Sequence, residues 1–130
     1  MALVRQGDVL IDALNAPEAL AALARCTLTA IPRDAERGVI LAAGEMTGHH
    51  HRTTARNVTI ERIDAIDAEF AAIMARSGVT VAPGDQILRV SEPATVVHEE
   101  HGAHTLLPGV YLITIAEEYV APQIVRRVQD

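Results

Sequence analysis

The six histidines of this 130-residue chain fall in two short stretches and nowhere else. The first is Gly44-Glu45-Met46-Thr47-Gly48-His49-His50-His51-Arg52, and the second is His98-Glu99-Glu100-His101-Gly102-Ala103-His104. Neutral imidazole is the commonest protein ligand for metal ions. Two dense clusters therefore suggest a fold that brings them together around one ion. In an extended segment, His49 and His51 share a side and His50 takes the other. Their Cα atoms then lie about 6.6 Å apart, close enough for two imidazoles to reach one ion at about 2.0–2.1 Å each. Gly48 permits a bulge just before them. In the second cluster, Gly102 and Pro108 leave little room for a long helix. A strand end or tight turn is expected there, with His98 and His101 both turned inward.

The candidate metal ligands are thus His49, His51, His98 and His101. Neither cluster contains cysteine, which excludes a Cys-type structural zinc site. A mostly imidazole set suits a divalent ion such as Zn, Fe, Ni, Mn or Cu. Glu99 and Glu100 are the candidate catalytic residues, as general base or as carboxylates that orient a ligating imidazole, and Glu45 could do the same. His98 and His101 are spaced i, i+3, which is not the i, i+4 pair of the helical zinc-protease motif.

Structural readings compete with each of these. A run of three histidines also suits an exposed polar turn. His50 faces away from its neighbours, His104 reads as a loop residue, and Glu99 and Glu100 read equally as solvated carboxylates. Asp64 and Asp67 read as helix caps. The chain has no phosphate-binding P-loop, no Gly-x-Ser-x-Gly elbow and no dinucleotide fingerprint.

Composition narrows the field further. The net charge of -6, with His neutral, opposes a general nucleic-acid surface. The aromatic residues are Phe70, Tyr111 and Tyr119 only, so base-stacking platforms are also lacking. Arg126-Arg127 reads as a solvated tail. A core of Val, Ile, Leu and Ala buries little area per side chain, so a homo-oligomer is expected. Cys26 is the one cysteine, which rules out an intrachain disulfide and fits a reducing compartment. No apolar run is long enough for a membrane span and no signal-like h-region opens the chain, so a soluble, cytoplasmic protein is expected.

The elements that must position the histidines can be read in order. Leu3 to Ile11 reads as strand, turn, strand around Gln6-Gly7-Asp8. A helix is predicted from an Asn15 cap, with Pro17 in its first turn and Glu18 completing a capping box, ending near Arg25-Cys26. Thr27–Thr29 favours extended chain. Ile31–Gly38 reads as a loop, Val39–Ala43 as a buried strand, and Val58–Ile63 as a half-buried strand. Ile66, Phe70, Ile73 and Met74 fall on one helical face, which predicts a second helix from Asp64 or Asp67 to Ser77, with Gly78 after it. Val79–Val81, Ile87–Val90 and Val110–Ile115 read as further strands, with turns at Pro83-Gly84-Asp85 and Pro108-Gly109, and Ala94–Val97 leads into the second histidine stretch. The expectation is one mainly β domain over residues 1–130. It is an antiparallel β-barrel or jelly-roll-like sandwich of about seven or eight short strands with two short helices.

With those residues in view, Gly44 to His51 resembles the first motif of the cupin superfamily. Gly102, Pro108 and Gly109 followed by an apolar strand are similar to its second. The resemblance implies a small antiparallel β-barrel holding a metal by histidines inside it. In this chain His98, His101 and His104 precede the Pro108-Gly109 turn, where a cupin histidine follows it. The chain also looks like small bacterial proteins with Thr-Gly-His-x-His and His-Glu-Glu-His-Gly patterns, which imply no activity. The leading expectation is a metal-binding β domain, acting as an enzyme on a small molecule by metal-assisted hydrolysis, isomerisation or oxygen chemistry. The alternatives are a non-catalytic metal-binding or regulatory module, and a structural protein whose histidines lie at a subunit contact.

Overall fold

A computed structural model of the chain describes residues 3–6, 9–32, 39–41, 51–53, 56–98, 102–115, 117–119 and 125–127, several of the outer strands through their backbones alone. The protein is mainly β, with antiparallel sheets and two helices. The strands are β1 Leu3–Gln6, β2 Val9–Ala13, β3 Thr27–Ala30, β4 Val39–Leu41, β5 His51–Thr53, β6 Val58–Ala65, β7 Gln86–Val90, β8 Ala94–His98, β9 Gly102–Leu106, β10 Gly109–Ile115, β11 Glu117–Tyr119 and β12 Val125–Arg127. The helices are α1 Pro17–Leu23 and α2 Ala68–Arg76.

Six strands form one sheet in the order β1-β2-β10-β7-β6-β3, and four form another in the order β4-β5-β8-β9. The order in each runs from edge to edge, so among the described residues the sheets do not close into a single hydrogen-bonded barrel. Their margins nonetheless approach each other, β1 near β9 and β4 near β6.

Strand alternation explains the layering. Along β10, Tyr111 and Ile113 enter one apolar cluster while Leu112 enters another. The first cluster joins Val9, Ile11, Ile60, Leu88 and Ile113 of the six-stranded sheet to Ala94, Val96 and Leu106 of β8 and β9. It fills the space between the sheets. The second lies on the opposite face and joins Ile63, Ile87 and Leu112 to Leu23, Phe70, Ile73 and Met74 of the helices. The six-stranded sheet is therefore covered on both sides. This is why Ile87 and Leu88, neighbours with opposite directions, are both fully buried.

α2 forms where its signals converge. The Asp67 carboxylate accepts from Glu69 N and Phe70 N, each at 3.1 Å, and Gly78 takes a φ of 81° beyond the last turn. α1 departs from the expected capping box. Its cap is Ala16, with no side-chain cap bond, and Pro17 occupies the first turn. The fixed φ of proline suits the first helical position, which sets the boundary one residue after Asn15. Val79–Val81 forms no strand. It packs against the helix-side cluster instead and runs into the turn at Gly84, where φ is 96°. There the buried Asp85 carboxylate accepts from Ala82 N at 2.8 Å. Arg126 and Arg127 lie in β12, opposite Glu118 and Glu117 of β11.

Candidate functional site

The four-stranded sheet pairs one histidine of the first stretch with one of the second. The first cluster runs into β5, whose first residue is His51. The second lies at a hairpin in which β8 ends at His98 and β9 begins at Gly102. β5 pairs antiparallel with β8, and His51 is the direct Cα partner of His98. Residues opposite each other in an antiparallel pair have Cβ atoms about 4.5–5.5 Å apart and share a face of the sheet. Such a pair presents two imidazoles from neighbouring strands to one ion as readily as a His-x-His pair within one strand does.

Burial along β8 and β9 identifies the face. Ala94, Val96 and Leu106 are buried, whereas Thr95, Ala103 and Thr105 are exposed. By the period of two, positions 98, 102 and 104 lie on the same face of the sheet as Ala94, Val96 and Leu106. The register runs Ala94 to Leu106, Val96 to His104 and His98 to Gly102. Position 51, opposite 98, lies on the same face.

The remaining residues singled out from sequence, His49, His50, His101, Glu45, Glu99 and Glu100, lie outside the described residues. None of the six histidines is among the residues whose side chains are described. Among those residues, no group of three or more His, Cys, Asp or Glu is gathered so as to hold a metal ion. One sequence reading shifts with the topology. His104, taken as a loop residue, belongs to strand β9. Cys26 is half-buried beside the helices, where its sulfur accepts from Asp67 N at 3.3 Å. That places it on the helix side of the six-stranded sheet, remote from the histidine strands, and gives it a structural role. No helix among the described residues is long and apolar enough to cross a membrane.

An open groove of about 450 Å³ lies elsewhere, lined by Arg56, Thr59, Arg89 and Ser91 among others. It sits on the part of the six-stranded sheet that the helices leave uncovered. Arg89 Nε donates to Glu61 Oε1 at 2.6 Å, so part of its charge is already answered there. The Ser91 hydroxyl donates to Asn57 O at 3.2 Å, and Asn57 Nδ2 to Glu92 O at 2.6 Å, which ties the two turns at the groove's end. Ser91 and Asn57 thus serve the turns, and nothing in the groove adds to the histidine site.

Comparison with known proteins gives one match. The model of a family described as a domain of unknown function, DUF8820, matches residues 5–116, a span that contains both histidine clusters. No curated protein and no solved structure matches the chain.

Proposed function

Since the chain belongs to the DUF8820 family, whose description carries no activity, we propose from its own geometry that it is a small metal-binding β domain. The ion is held at the four-stranded sheet by imidazoles that β5 and the β8–β9 hairpin supply. The observation that carries this reading is the cross-strand pairing of His51 with His98. Two clusters that are separate in sequence converge at a single register position. The donor set fits a borderline divalent ion such as zinc, iron, nickel or manganese.

His49 and His101 complete the proposed ligand set from the segments that adjoin His51 and His98. An ion that takes a fifth or sixth ligand beside these four imidazoles would hold water or substrate there and lower the pKa of bound water. Glu99 and Glu100 would then stand next to the ion as proton carriers, which makes metal-assisted chemistry on a small molecule the leading activity.

Elemental analysis of the purified, untagged protein tests the reading. About one ion per chain, removable by a chelator and restored by a divalent salt, supports it. A metal-free protein that takes up no zinc, cobalt, nickel, manganese or ferrous ion at neutral pH overturns it.

A further inference from the structure

We infer that the groove over the uncovered end of the six-stranded sheet binds a small organic anion, a carboxylate carried on a short apolar body, with Arg56 and Arg89 as its charge partners. The inference stands apart from the metal-binding reading.

Strand pairing builds the floor of this groove. Thr59 of β6 and Val110 of β10 are the direct partners of Arg89 on either side of β7. Residues opposite each other share a face of the sheet. Val58, Ile60, Leu88, Val90 and Tyr111, their chain neighbours, enter the cluster between the sheets. The row of Thr59, Arg89 and Val110 therefore lies on the helix side. Ile87, two residues from Arg89 on that side, is fully buried against the helices, whereas Thr59 and Arg89 are exposed. The helices stop short of this row. The groove of about 450 Å³ opens over it, with Arg56 and Gly109 of the neighbouring turns also lining it. That volume suits a small molecule.

Charge selects the kind of ligand. The chain carries a net charge of -6, yet none of the described residues lining the groove is acidic. Arg56 makes no ion pair or hydrogen bond among the described residues. Glu61 holds Arg89 through Nε at 2.6 Å, which orients the guanidinium and leaves it four further N–H donors. The planar fork of such donors matches a carboxylate. The Thr59 hydroxyl stands beside them as a neutral donor. The Ser91 hydroxyl already donates to Asn57 O and adds no donor to the groove. Val110 and Gly109 make the β10 side apolar, and Leu107, 66% exposed, adds apolar surface to the turn that leads into it. Two cations set against an apolar side fit an organic anion better than a bare inorganic one.

The test titrates hexanoate into the full chain and follows the amide NMR signals. Those of Arg56, Thr59, Arg89 and Val110 are expected to shift together and to saturate with a Kd of about 1 mM or below. Arg56→Gln removes a charge that has no partner among the described residues, so the fold is expected to survive it. Hexanoate binding is expected to weaken by about tenfold in that variant. Arg89→Lys keeps the charge but loses the fork, and is expected to weaken binding as well. Hexanol, which lacks the charge, and inorganic phosphate, which lacks the apolar body, are expected to bind more weakly than hexanoate. The inference is overturned by the absence of a saturable shift at the groove, by unchanged affinity in Arg56→Gln, or by hexanol or phosphate binding as tightly as hexanoate.

Discussion

His51 and His98 face each other as Cα partners across β5 and β8. In the proposed metal-binding reading that relationship has a pH signature. Imidazole must be deprotonated to bind a metal, and its unperturbed pKa is about 6.5. Metal affinity is therefore expected to be full above neutrality and to fall steeply as the pH drops through about 6. Titrations of zinc uptake at pH 8, 7, 6 and 5 check this. Affinity unchanged down to pH 5 would exclude imidazoles as the main ligands.

Phe70 anchors the helix side of the central sheet. It is fully buried among Ile63, Met74 and Leu112 and has no other aromatic residue in its cluster. Phe70→Ala is expected to cost about 3–5 kcal/mol, read as a shift in the urea unfolding midpoint. A loss below about 1 kcal/mol would mean that the helices contribute far less to the core than their burial indicates.

The Asp67 cap is separable from the core. Its carboxylate satisfies Glu69 N and Phe70 N at the start of α2. Asp67→Ala is expected to lose about 0.5–2 kcal/mol, and Asp67→Asn to keep most of the stability, since asparagine caps comparably. Equal losses in the two variants would shift the role of Asp67 from capping to its ion pair with Arg25.

Two carboxylates shape the acid side of the stability curve with opposite signs. Asp64 accepts from the Thr29 hydroxyl and from Arg62 Nε, which hold it below the usual carboxylate range. Its contribution is present above the unfolded pKa and is lost as pH falls through the lower folded value. Asp12 is buried, and burial raises its pKa. The fold favours its neutral form, so its contribution is present below the unfolded pKa and is lost as pH rises through the folded value. Asp64→Asn is expected to melt below wild type at pH 7, and Asp12→Asn above it, with both differences shrinking as the pH falls toward 3. Differences that persist unchanged at pH 3 would contradict the ionic origin of both effects.

The parts of the fold that sequence reveals are those where several local signals agree. α2 has an apolar face, a capping aspartate and a terminal glycine that all mark the same boundaries. β6 alternates buried and exposed residues across Val58, Thr59 and Ile60. The segment at β9 has no such agreement. Gly102-Ala103-His104-Thr105-Leu106 is short, begins with glycine and carries a single large apolar residue, so its ladder is set by β8 and not by its own propensity. The same holds for β11 and β12, where a stretch that looks like a charged tail forms a hairpin placing acidic residues opposite basic ones. For the site, sequence points to the convergence of the clusters, and strand pairing supplies the partner identities. The place of His104 in β9, opposite Val96, depends on a register that no local pattern contains.

The central claim is tested most directly by titrating zinc into metal-free wild type, His51→Ala and His98→Ala, with folding checked by circular dichroism. One ion per wild-type chain, with binding weakened by about a hundredfold or more in each folded variant, is the result expected when both imidazoles are ligands. Full stoichiometry and unchanged affinity in both variants would contradict the account.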